Sequence, residues 1–139
     1  MFGGILVIIE ELKVKSIIIS KQVEDSDNYQ KFKEITKRKK LKVKTVKKGD
    51  RIQIEKDIYF DILWPNNKNM LKDNPLNNNS IVCKLNYKNF SMLFTGDIEK
   101  EAEKQIIKNN SNLKSDILKV AHHRFRNFYN RRIFKSSIS

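Results

Sequence analysis

Residues 90–98 read Phe90-Ser91-Met92-Leu93-Phe94-Thr95-Gly96-Asp97-Ile98. Phe90 to Phe94 is an apolar strand, and Thr95-Gly96-Asp97 closes it. Gly96 lets the backbone turn sharply, so a carboxylate is set where the strand runs out. A helix is predicted from Ile98 to Lys108, with Ala102, Ile106 and Ile107 facing inward at helical spacing. Asp97 therefore admits two roles. It can be the N-cap of that helix, or a functional carboxylate at a strand end, where α/β folds tend to build their sites. Just upstream, Ile81 to Asn86 forms a second strand, joined to the first by a tight hairpin at Tyr87-Lys88-Asn89. Downstream, Ser115 to Val120 reads as a final strand. It delivers His122 and His123, the 2 histidines of the chain, just past its C-terminal end.

Earlier in the chain, helix and strand alternate. Gly3 to Leu12 reads as a short helix with Ile5, Ile8, Ile9 and Leu12 on one face. Ile17-Ile18-Ile19 is a continuous apolar run, typical of a strand buried on both faces. Glu24-Asp25-Ser26-Asp27 offers N-cap chemistry for a helix over Asp27 to Lys39, whose apolar positions are Tyr29, Phe32 and Ile35. Leu41 to Val46 alternates like a strand. Lys48-Gly49-Asp50 is a turn, and Arg51 to Glu55 and Ile58 to Trp64 are two more strands. The fold class expected is α/β. From Pro65 to about Asn79 runs an asparagine-rich polar loop holding both prolines. It is either a disordered insert or the border of a site.

Composition narrows the function. The chain of 139 residues suits one domain or part of one, and 39% hydrophobic residues suffice for a core. No apolar run approaches the roughly 18–20 residues that span a bilayer, and the short run near the N-terminus has no basic flank to make it a signal peptide. A soluble, cytoplasmic chain is expected if it is made alone. The single cysteine, Cys83, excludes an intrachain disulfide and any multi-cysteine metal site; in its apolar surroundings it reads as a small buried thiol. The net charge of +13 favours weak attraction to polyanions such as DNA. Much of it is interspersed with glutamate, as in Glu99-Lys100-Glu101, which marks a solvated face. Residues 124–139 carry basic residues and no acid, and read as a basic tail outside the fold.

Asp97, His122 and His123 are the candidate metal ligands. Neutral imidazole is the commonest protein ligand for zinc. A catalytic zinc usually has three protein ligands and an open position, and two-metal sites need more. By spacing and chemistry alone the chain holds part of a site, and no catalytic residue is assigned.

The same residues carry a resemblance. Gly3-Gly4, Ile62-Leu63-Trp64-Pro65, Asn78-Asn79-Ser80-Ile81-Val82, Leu93-Phe94-Thr95-Gly96-Asp97-Ile98 and Leu118-Lys119-Val120-Ala121-His122-His123, in this order, resemble the metallo-β-lactamase domain of the ComEC family of DNA-uptake proteins. The resemblance covers residues 3–123. It implies the C-terminal half of a metallo-β-lactamase-like αββα sandwich with two divalent ions, such as zinc or manganese, at the strand ends. Asp97 matches the family's bridging aspartate, and one of His122 and His123 its last histidine ligand. The family's first ligand motif, His-x-His-x-Asp-His, stands just before Gly-Gly; here Met1-Phe2 occupies that place. The family's His-His-Gly-Ser is replaced by His123-Arg124-Phe125-Arg126, which adds bulk and positive charge beside a cationic site. A partial domain over 1–123 is therefore expected, with weak or absent metal binding. The parent would be a metal-dependent hydrolase of DNA, attached to an integral membrane protein. This chain alone would be inactive, and a complementing N-terminal half is a possible partner. The alternative is a non-catalytic basic module that binds nucleic acid through charge.

Overall fold

In the computed structural model, residues 2–21, 25–109 and 112–120 are described. The elements are α1 (Phe2–Glu11), β1 (Ser16–Ser20), α2 (Asp27–Arg38), β2 (Lys42–Val46), β3 (Arg51–Glu55), β4 (Ile58–Trp64), α3 (Pro75–Asn78), β5 (Val82–Tyr87), β6 (Phe90–Phe94), α4 (Lys100–Asn109) and β7 (Ile117–Lys119). Among the described residues this is a mixed α/β fold with two sheets and four helices.

β1 and β2 pair in parallel, Ile17 opposite Val43 and Ile19 opposite Thr45. Parallel neighbours need a crossover, and α2 supplies it. Ser26 caps α2, its Oγ accepting from the Tyr29 backbone N–H at 3.2 Å, as the serine within the acidic run predicts. Ile9, Ile17 and Phe32 form the buried centre of this layer, with Ile5, Leu6, Tyr29, Ile35 and Leu41 packed around it.

Two expectations change here. Ile17 is buried but Ile18 is exposed, so β1 is covered on one face only. On α1 the inward face is Ile5, Leu6 and Ile9, whereas Val7, Ile8 and Leu12 are exposed. A helix apolar on nearly every side does not reveal its buried stripe by periodicity, because several stripes fit equally well.

The second sheet runs β3-β4-β5-β6-β7. Its first three pairings are antiparallel, and β6 and β7 are parallel. α4 is the crossover between them. The cross-strand row Lys84–Leu93–Leu118 lies on the face that α4 covers. There Trp64, Val82, Leu93, Ile98, Ala102, Ile106 and Leu113 form one buried cluster. Each fully buried aliphatic chain contributes roughly 1.5–3 kcal/mol, so this cluster is what fixes α4 on the sheet.

Side chains alternate between faces along a strand. The opposite face therefore carries three other rows: Ile62–Cys83–Phe94, Phe60–Leu85–Met92 and Ile58–Tyr87–Phe90. All are apolar. Of these nine, Ile62 is fully buried while Tyr87 and Phe90 are exposed. Phe60 and Phe94 meet with ring centroids 6.3 Å apart.

Candidate functional site

The end of the β6–β7 pair is built by backbone register. Phe94 pairs with Lys119 in parallel, so both strands run out at the same edge. Thr95 extends the pairing: its N–H and its Oγ1–H both donate to the Lys119 carbonyl, at 3.4 and 3.1 Å. Next comes Gly96, at φ +57°, where a Cβ would lie 2.9 Å from the Ile81 carbonyl oxygen and 2.9 Å from the Ser80 Cβ. No side chain fits there. Asp97 follows, half-buried, held between this turn and the fully buried Ile98. Val120, which follows Lys119, leaves the same edge of the sheet. His122 and His123 themselves lie outside the described residues, as does the basic tail 124–139.

Asp97 is not the cap of the following helix. α4 begins at Lys100, and the N–H of Glu99 donates to the Asn78 Oδ1 at 3.0 Å. The backbone N–H that leads into the helix is thus held by a side chain 21 positions earlier in the chain. Asn78 also donates through Nδ2 to the Asp73 carbonyl at 2.8 Å and to the Glu99 carboxylate at 3.3 Å. Its own carbonyl accepts from the Trp64 indole at 2.7 Å. Asn79 closes the loop further: Nδ2 donates to the carbonyls of Leu71 (2.8 Å) and Pro75 (2.9 Å), and Oδ1 accepts from the Leu71 N–H at 2.9 Å.

With Asn78 at 1% exposure and Asn79 at 2%, the asparagine-rich loop is an ordered clamp rather than a disordered insert. It contains the short helix α3 and borders the Asp97 turn. Buried amides must find partners, and those of Asn78 and Asn79 do, whereas the buried Oδ1 of Asn67 in the same loop has none. The sequence offered a hint in Asn78-Asn79-Ser80 directly before an apolar strand, where a polar run must be buried or turn away.

The described residues do not by themselves fit a metal centre. No group of three or more His, Cys, Asp or Glu side chains among them could hold an ion. Asp97 brings one carboxylate, and the matching donors are not on its neighbouring described elements.

Cys83 lies on β5 facing Ile62 and Phe94, and burial pushes its thiol up to about 11. The inert-thiol expectation agrees with this environment. The thiolate is the reactive form, so alkylation of native chain at pH 8 should run at least about tenfold slower than in urea, where the ordinary value near 8.5 returns. Equal rates would show that the thiol is open.

A mixed α/β chain whose parallel strand pair ends in an acidic turn is the class that this geometry defines. No family profile matches the chain, and no solved structure matches it. It is similar to ComE operon protein 3 (ComEC) of Bacillus subtilis (strain 168), with 32% identity over 121 residues, 87% of this chain. The chain is thus ComEC-related, and it spans 15% of that protein's length. No described helix is long and apolar enough to cross a membrane.

Proposed function

We propose that this chain is one wall of a ComEC-like metallo-β-lactamase-fold domain that serves DNA uptake in competence. The complete domain is an αββα sandwich acting as a metal-dependent hydrolase of phosphodiesters. Asp97 and one of His122 and His123 are this wall's contribution to the ion-binding edge. The observation that carries this is the parallel register of Phe94 with Lys119. It sends the Asp97 turn and Val120, three residues short of His123, off one edge, which supports a shared ligand edge there.

The apolar rows Phe60–Leu85–Met92 and Ile58–Tyr87–Phe90 support the second half of the proposal. A half-exposed apolar sheet face is where another layer packs, and the complementing N-terminal half is its natural occupant. With so few donors, this chain alone holds zinc or manganese weakly and does not hydrolyse DNA.

Zinc titration of the full chain by calorimetry tests this, with and without the segment of ComE operon protein 3 that precedes the matched region. Alone, binding should be weak and little changed by Asp97→Asn. With the segment it should tighten, and Asp97→Asn should abolish the gain. Near-stoichiometric metal and cleavage of single-stranded DNA by the chain alone would refute the inactive-alone part. A segment that neither binds nor tightens zinc would refute the shared wall.

A second reading rests on the net charge of +13: a basic module holding nucleic acid. Its signature is DNA binding that falls steeply with salt and ignores chelators.

A further inference from the structure

Lys84 sits on β5 among the rows covered by α4, at 8% exposure. A lysine so enclosed is rare unless paired. Its ammonium donates to Asn112 Oδ1 at 3.4 Å, a long bond to a neutral acceptor. Among the described residues no carboxylate forms an ion pair with it.

The nearest acids in the register are already engaged. Asp61, directly across from Lys84, takes Arg51 Nε at 2.7 Å and Nη2 at 3.2 Å, and Asn86 Nδ2 at 3.4 Å. Arg51 is further fixed over the Tyr59 ring, 4.0 Å from its centroid. Asp50 accepts the Lys47 N–H at 2.9 Å and the Lys47 ammonium at 3.1 Å, which holds its carboxyl below the usual range.

Apart from Lys47, these groups line an open cleft of about 560 Å³, within the size range of small-molecule sites. Lys48 stands at its rim, its ammonium bonded to the Asn109 carbonyl. Asn86, Asn109 and Asn112 add amides. The cleft lies at the C-terminal end of α4, and Asp97 precedes the N-terminal end. A ten-residue helix separates them, about 15 Å, so the two sites are distinct.

We propose that this cleft binds a small phosphate ester, with Lys84 at its floor and Lys48 at its rim. Asp116 is close enough to feel the Lys84 charge, but it already accepts from the Ser91 N–H and hydroxyl. An enclosed ammonium whose nearby carboxylates are committed to other donors is costly, and an anion entering the cleft offsets that cost. A phosphate group suits it better than a carboxylate. It offers three terminal oxygens in a tetrahedral spread, enough to meet two ammonium groups and an amide arriving from different directions, and lysine binds it as a point charge.

Calorimetric titration of the full chain with inorganic phosphate and with a nucleoside 5′-monophosphate tests this. Saturable one-site binding is expected, tighter for the monophosphate. Lys84→Met should weaken it by about tenfold or more, the loss of a charge-assisted bond. Lys48→Gln, a change at the rim that leaves the core intact, should weaken it severalfold. Lys88→Gln, at the β5–β6 turn, should leave it unchanged. Absence of saturable binding to either probe overturns the proposal. So does affinity that survives both Lys84→Met and Lys48→Gln, or that falls equally with Lys88→Gln.

Discussion

Asn78→Ala should destabilise the chain by about 2–4 kcal/mol, the cost of stranding buried partners. The alanine removes the acceptor for the Glu99 N–H at 3.0 Å and the donor to the Asp73 carbonyl at 2.8 Å. The Glu99 N–H is left facing a position only 1% exposed, whereas Asp73 is an exposed residue whose carbonyl can turn to water, so the larger share of the loss falls on the Glu99 N–H. The midpoint of thermal unfolding should drop by roughly 10 °C for a chain of this size. Asn78→Asp separates bonding from packing. It keeps the acceptor and the shape, but sets an oxygen where the amide nitrogen faced the Asp73 carbonyl and the Glu99 carboxylate. It should also destabilise at neutral pH. An Asn78→Asp chain as stable as wild type in urea melts would show that shape alone matters there.

Gly96→Ala should cost about 3 kcal/mol. An L-residue held in the left-handed region costs roughly 1–2 kcal/mol. The remainder comes from the added Cβ, which would lie 2.9 Å from both the Ile81 carbonyl oxygen and the Ser80 Cβ. Backbone on one side cannot swing away as a flexible side chain can. The control is Gly49→Ala: its φ is +93°, but nothing lies within 4 Å of the added carbon, so only the conformational penalty applies. Urea denaturation of both variants checks this. Equal losses at the two positions would remove the close approach at Gly96 from the account.

Local patterns located the secondary structure well. The hairpin at Tyr87-Lys88-Asn89, the Ser26 cap and the inward face of α4 all came from neighbouring residues, and each stands within a residue or two of its expected place. What failed was set by distant parts of the chain. The N–H of Glu99 at the entry to α4 is bonded from position 78, a remote amide that adjacency along the chain, which pointed to Asp97, could not reveal. The asparagine loop read as open because composition records polarity and not which amide meets which carbonyl. α1 offered too many apolar positions for spacing to pick its buried side. Of the candidate ligands, Asp97 could be placed on its turn, and the parallel register supplies the edge it shares with the end of β7. His122 and His123 fall outside the described residues.

Among the described residues β7 holds three residues and sits at the margin of its sheet, with β6 as its neighbour. Short margin strands open most readily, at a free energy well below that of the whole domain. Thr95 is bonded to Lys119 on that strand through both its N–H and its hydroxyl. Whenever β7 peels away, the acidic turn loses its lateral tether in the same event. Opening at that margin therefore loosens one side of the turn first, while Ile81 and Ser80 still crowd its other side and the α4-covered core stays folded.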